Sequence, residues 1–251
     1  MKVVIIGGGS IGLASACVSA RTGHNVTVFD PVGFALKRPA PEIDSRVWAL
    51  GTRSQRLLED LDAWNSNDRV CAYQSMRVID ARSDARVDFT DPTLGHVVEA
   101  DWVRNQLLRE VSELDIQCIQ QSVQAINLNG LIAVNNDITV DADLVIFAEG
   151  RTASTAVASG FEIVDGGYHQ LAVVGTLHCQ QPHHGEAFQI FTEYGPLALL
   201  PLPDRSDQHR VSLVWSLAKP VADDLHESPN EILASLISRA SEFERGHLRF
   251  V

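Results

Sequence analysis

Gly7, Gly9 and Gly12 are spaced as Gly-x-Gly-x-x-Gly. That spacing suits one chemistry, the holding of a pyrophosphate. The first glycine permits a tight turn, the second lets the backbone approach phosphate, and the third allows a helix to pack closely on a strand. Ser10 and Ile11 fall between the second and third glycines. There a helix N-terminus offers unpaired N–H groups and a partial positive charge to an anion. Asp30 lies 18 residues beyond Gly12. A carboxylate at that place can accept hydrogen bonds from both hydroxyls of a ribose. The pattern serves NAD and FAD alike. The plainer readings are a glycine turn with no ligand and a surface acid at position 30.

These residues need elements to hold them. Val3-Val4-Ile5-Ile6 is a continuous β-branched run, which suits a strand buried on both faces of a parallel sheet. Leu13 to Ala20 is rich in small residues and suits a close-packed helix that Gly23 ends. Val26 to Phe29 reads as a second strand, closed by Asp30. Residues 31–41 read as a loop. Leu57, Leu58 and Leu61 stand at helical spacing, as do Val103, Leu107, Val111 and Leu114. Gln74 to Ala81 and Arg86 to Thr90 alternate like a hairpin with one wet face. Asn129-Gly130 and Asn135-Asn136-Asp137 are turn signals. Leu144 to Ala148 is another apolar strand and runs into Glu149-Gly150. From Leu171 to Leu217 the pattern is mostly β. Ser228, Pro229 and Glu231 predict a capping box, with Ser228 as N-cap and Pro229 opening the first turn.

The chain has 251 residues, 45% hydrophobic and 21% charged, enough to bury a core without disulfide or metal staples. Lys plus Arg number 20 against 32 Asp plus Glu, a formal charge of −12. That balance argues against non-specific nucleic-acid binding and against electrostatic docking on an anionic membrane. Cys17, Cys71, Cys118 and Cys179 form no CxxC pair, so a zinc ribbon or redox dithiol is not expected. They read as reduced thiols of a cytoplasmic protein. No apolar run approaches the roughly 20 residues of a membrane span, and none reads as a secretory signal.

Longer stretches carry a family likeness. They are Asp44-Ser45-Arg46-Val47-Trp48-Ala49-Leu50, then His96-Val97-Val98-Glu99 with Leu107-Leu108, then Phe188-Gln189-x-Phe191. Gly195-Pro196-Leu197-Ala198-Leu199-Leu200-Pro201-Leu202 and Ser212-Leu213-Val214-Trp215-Ser216 complete the set. With these, the sequence resembles the p-hydroxybenzoate hydroxylase-like flavin monooxygenases. Within them it is most similar to the aromatic-ring hydroxylases of ubiquinone biosynthesis. The resemblance implies an α/β fold. A Rossmann-like FAD-binding domain with a glycine-rich βαβ start would be interleaved with a mostly antiparallel β-sheet substrate domain. Residues 1–73 and 97–165 are expected in the first domain, 74–96 and 166–251 in the second. It implies FAD as cofactor, NAD(P)H as reductant and O₂ as co-substrate, the cofactor carrying the hard chemistry. The substrate implied is a polyprenylated phenol or quinone precursor. With it come a peripheral station at the inner membrane, or association with other enzymes of ubiquinone biosynthesis. Arg46 is then expected at the FAD diphosphate, Arg104 at a polar flavin contact, and Glu149 and Gly150 beside the cofactor.

Two departures stand out. The family reads Ala-Asp-Gly-x-x-Ser where this chain reads Ala148-Glu149-Gly150-Arg151-Thr152-Ala153-Ser154. Its later Gly-Asp and Pro-x-x-Gly-Gln-Gly-x-Asn segments are not in the sequence. The chain therefore resembles about the N-terminal two-thirds of such an enzyme, and the alternating Leu248 to Val251 is expected to seek a partner strand, favouring oligomers. No catalytic residue is legible, and no metal site. His183-His184 reads as a solvated loop, since adjacent side chains diverge. Trp215 and Phe191 read equally as cavity lining or as core. The competing functions are a non-catalytic nucleotide-binding remnant, another FAD enzyme such as a halogenase or prenyl reductase, and an NAD-linked dehydrogenase.

Overall fold

The computed structural model describes residues 1–38, 43–65, 68–83, 85–127, 131–134, 138–151, 153–164, 166–205 and 208–251. The predicted turns at 129–130 and 135–137, the end of the 31–41 loop and Thr152 lie outside them. The chain opens with β1 (Lys2–Ile6), α1 (Ser10–Arg21), β2 (Asn25–Phe29), β3 (Val47–Gly51), α2 (Thr52–Asp60), β4 (Val70–Asp80) and β5 (Ala85–Glu99). It continues through α3 (Ala100–Glu113), β6 (Ile116–Ile119), β7 (Ala125–Ile126), β8 (Leu131–Val134), β9 (Ile138–Asp141), β10 (Leu144–Phe147) and α4 (Ser154–Ala158). It closes with β11 (Gln170–Cys179), β12 (Glu186–Thr192), β13 (Gly195–Pro201), β14 (His209–Ala218), α5 (Lys219–His226), α6 (Asn230–Ala240) and β15 (Leu248–Phe250).

Two compact units result. The first is Met1–Arg38, Leu57–Asn65 and Asp101–Gly166; the second is Pro39–Arg56, Ser66–Ala100 and Gly167–Val251. In the first, a parallel sheet has the order β10-β1-β2-β6. Its central strand is apolar because both faces are covered. Val3, Ile5, Val26 and Val28 pack with Ala16 of α1, while Val4, Ile6 and Phe29 pack with Val123 and partly buried Ile126 and Val140. The antiparallel β7-β8-β9 meander belongs to this unit.

The second unit is one sheet in the order β15-β11-β14-β13-β12-β4-β5-β3. It is antiparallel except where β12 runs parallel to β4. One face buries Leu197, Leu199, Leu213, Trp215 and Leu217 against Leu233 and Ile237 of α6. Each such side chain contributes roughly 1.5–3 kcal/mol on full burial. β3 pairs with β5, Val47 facing Glu99. Residues 47–51 thus stand in the second unit, not in the first as the sequence suggests. β15 pairs with β11, Phe250 facing Leu177.

The predicted capping box does not form. Ser228 is held by the end of α5, its N–H on Leu225 O at 3.1 Å and its hydroxyl on Asp224 O at 3.2 Å. Pro229 becomes the N-cap of α6, with no side-chain cap bond. Trp215 is core, its indole N–H buried without an acceptor. Phe191 is half-exposed on the opposite face of the sheet. No helix among the described residues is long and apolar enough to cross a membrane.

Candidate functional site

The carboxyl ends of β1, β2 and β10 open on a cleft of about 380 Å³. In open α/β sheets, ligands bind at that end of the strands. Gly7, Gly9, Asp30, Glu149 and Gly150 all line it. Gly7 has φ +110° and sits against the Ala148 carbonyl, so a side chain there would collide with backbone. Gly12 is closed in the same way by the Gly7 carbonyl, which lets α1 sit tight on β1. Gly9 differs. It is the N-cap of α1 with φ −74°, and a Cβ built on it meets no atom within 4 Å. Two glycines are therefore needed by the fold, and the middle one is needed only for something that approaches it. No acid stands in the first turn of α1, whose N–H groups from Ser10 to Gly12 have no intrahelical partner. The Ile11 side chain projects into solvent. This geometry fits the diphosphate of a dinucleotide.

Asp30 binds protein as well as facing the cleft. Its Oδ2 accepts the Gly8 N–H at 2.6 Å, and its Oδ1 accepts Val32 N–H at 2.8 Å and Gly33 N–H at 3.1 Å. Arg104 holds the same loop from behind. Its guanidinium donates to the carbonyls of Gly8 at 3.1 Å, Gly33 at 2.6 Å and Ala35 at 3.3 Å. Arg104 is not among the residues lining the cleft.

Glu149 turns its carboxylate into the start of α4. Its oxygens accept the N–H of Thr155 at 3.1 Å, the N–H of Ala156 at 3.2 Å and the Thr155 hydroxyl at 2.7 Å. The longer arm of glutamate thus acts as a cap. Arg46 belongs to the second unit. It is exposed, and its N–H is held by Asp44 Oδ1 at 2.7 Å.

Sequence reasoning passed over Gln121, Ser122, Val123 and Thr155, which also line the cleft. Nothing in their types marks them; only the parallel pairing of β6 with β2 brings the segment after β6 there. Burial pushes the Cys17 thiol of α1 up to about 12, so it is no nucleophile at neutral pH. Among the described residues, no group of three or more His, Cys, Asp or Glu side chains could hold a metal. His183 corrects the solvated-loop reading. It is buried, with Nε2 2.9 Å from Leu202 O and Nδ1 accepting the Gly185 N–H at 3.0 Å.

The fold and the glycine turn define a class: a Rossmann-like dinucleotide-binding architecture, similar in fold to FAD-dependent monooxygenases. A family model described as pyridine nucleotide-disulphide oxidoreductase matches residues 2–47. The myxobacterial halogenase CndH superposes over all of this chain and 60% of its own, with TM-score 0.73 at 16% identity. PqsL of Pseudomonas aeruginosa does so over all of this chain and 73% of its own, with TM-score 0.73 at 14% identity. Within that class the chain is similar in sequence to ubiquinone hydroxylases. It is 30% identical to the ubiquinone hydroxylase UbiL of Rhodospirillum rubrum, over 94% of this chain and 56% of that protein. It is 29% identical to the ubiquinone biosynthesis monooxygenase COQ6 of Danio rerio, over 99% of this chain and 56% of that protein. The chain thus spans little more than half the length of the curated relatives it matches.

Proposed function

We propose that the chain forms the dinucleotide site and a substrate wall of an FAD-dependent aromatic-ring hydroxylase. Its substrate is a polyprenylated phenol or quinone precursor in ubiquinone biosynthesis. The observation that carries this reading is the contrast between Gly9, open at the mouth of the cleft, and Gly7 and Gly12, closed by backbone. The likeness to COQ6 and UbiL over nearly the whole chain directs it to this chemistry. FAD held there would supply the redox chemistry, with NAD(P)H as reductant and O₂ as co-substrate. The chain's own residues bind and orient. Gly9 and the N–H groups of Ser10, Ile11 and Gly12 receive the diphosphate, and Asp30 takes a ribose hydroxyl. Gly150 closes the β10 side.

A hydrophobic aromatic substrate agrees with the second unit. Val174, Phe191, Val87 and Phe89 are about half exposed, and strand register puts them on the sheet face opposite Trp215. Such a substrate resides in a membrane. A cytoplasmic protein peripheral to the inner membrane, associating with itself or with other enzymes of the same biosynthesis, is part of the same reading. Nucleic acid has no part in it. The test is an absorbance spectrum of the purified chain after equilibration with FAD and removal of free flavin. Retained flavin bands near an equimolar ratio support the reading. A colourless chain that still melts cooperatively overturns it.

A further inference from the structure

β5 leaves part of one edge open. β3 covers it only from Gly95 to Glu99. From Ala85 to Thr90 it has β4 on one side and, among the described residues, no strand on the other. Every residue from Ala85 to Pro92 is exposed. In an antiparallel strand alternate residues turn their N–H and C=O to the same side. This stretch therefore presents unpaired backbone groups, a template for another strand.

Proteins guard such edges with charge, and charges of one sign would guard this one. Here the two charges are opposite. Arg86 and Asp88 stand two residues apart on one face, with Arg86 Nε and Nη2 donating to the Asp88 carboxylate at 2.6 and 2.9 Å. Both are about half exposed. Arg77 of β4 lies opposite Asp88 in register, its Nε 3.8 Å from Asp88 Oδ1. The other face of β5 carries Ala85, Val87 and Phe89, and the last two are also half exposed.

We propose that this edge pairs with the same edge of a second copy of the chain, antiparallel and centred on Val87. A two-fold axis at Val87 sets position 86 opposite the partner's position 88. Arg86 then faces the partner's Asp88, and Asp88 faces the partner's Arg86. On the other face Val87 meets the partner's Val87, and Ala85 meets the partner's Phe89. Moving the axis by one residue sets Arg86 against the partner's Arg86, or Asp88 against the partner's Asp88. Unlike charges directly opposite stabilise a strand pair and like charges destabilise it, so the sequence selects the axis at Val87. The chain carries a formal charge of −12, and copies repel one another. An edge whose two facing charges cancel is where they can meet. Self-association of this kind is independent of nucleotide binding, so either can fail without the other.

The test is sedimentation velocity of the chain and of two charge variants, Arg86→Asp and Asp88→Arg, both at exposed positions. Wild type shows a reversible monomer–dimer equilibrium at micromolar concentration, and amide exchange in residues 85–90 slows as the dimer forms. Each variant sets like charges opposite one another twice and dimerises roughly tenfold more weakly. Mixed in equal amounts, the two variants recover association, because every facing pair is again unlike. Wild type that stays monomeric throughout the micromolar range overturns the pairing. A dimer that persists unweakened in either variant overturns it too, since the contact then lies on another surface. So does a mixture that stays monomeric where wild type dimerises.

Discussion

Asp30 Oδ2 accepts the backbone N–H of Gly8 at 2.6 Å, so the acid that ends β2 grips the turn that follows β1. Val32 and Gly33 donate to the other oxygen. A carboxylate offers about four acceptor sites, which leaves about one for a ribose hydroxyl rather than the pair expected from sequence. Asp30→Ala removes that contact and also orphans the buried Gly8 N–H. ADP affinity should fall about tenfold and stability by about 1–3 kcal/mol, read by calorimetry and urea unfolding. Asp30→Asn should lie between. Unchanged affinity in a folded Asp30→Ala chain would show that Asp30 serves the loop alone.

Arg104 ties Gly8, Gly33 and Ala35 together through their carbonyls. A lysine ammonium cannot span this fork of planar donors. Arg104→Lys should therefore speed amide exchange in residues 31–36 and weaken ADP and FAD by the same factor. If FAD alone weakens, Arg104 touches the flavin, as the family likeness implies.

Glu149 gathers donors from Thr155 and Ala156 at the head of α4. Glu149→Ala should cost about 0.5–2 kcal/mol, the range for loss of a helix cap, with ADP affinity little changed. A large loss of affinity at unchanged melting temperature would instead place the carboxylate on the ligand.

His183 makes a pH prediction. Burial lowers its pKa below the ordinary 6.5, against the opposing pull of Asp204. The unfolded chain therefore takes up this proton at a higher pH than the folded one. The stabilisation is fully present above about pH 6.5. It is lost as pH falls from there through the lower folded value. Urea unfolding of wild type should show this acid limb, and His183→Gln should flatten it. An identical limb in both would assign the loss to another group.

How much of this was legible beforehand follows from what is local. The Val3 to Ile6 run, the glycine spacing and Asp30 lie within thirty residues, and each carries its own physical reason, so the βαβ start could be read directly. The pairing of β12 with β4, of β3 with β5 and of β6 with β2 joins distant segments. Pairing partners are not written in either strand alone. For the same reason Gln121 was silent, and Arg104 could be named but not given its carbonyl partners. Ser228 misled because its local pattern is a good cap, yet the end of α5 reaches it first.

Gly9→Val tests the central claim most directly. Its φ of −74° suits any residue, and no atom lies within 4 Å of a Cβ there. The variant should fold and melt as wild type does, yet show no saturable binding of ADP or FAD in calorimetric titration, because its side chain occupies the place of the phosphates. Gly7→Val, facing backbone at φ +110°, should fail to fold and so mark the difference between a structural and a ligand-facing glycine. Wild-type affinity in a folded Gly9→Val chain would contradict the account, since no dinucleotide could then be lying against this turn.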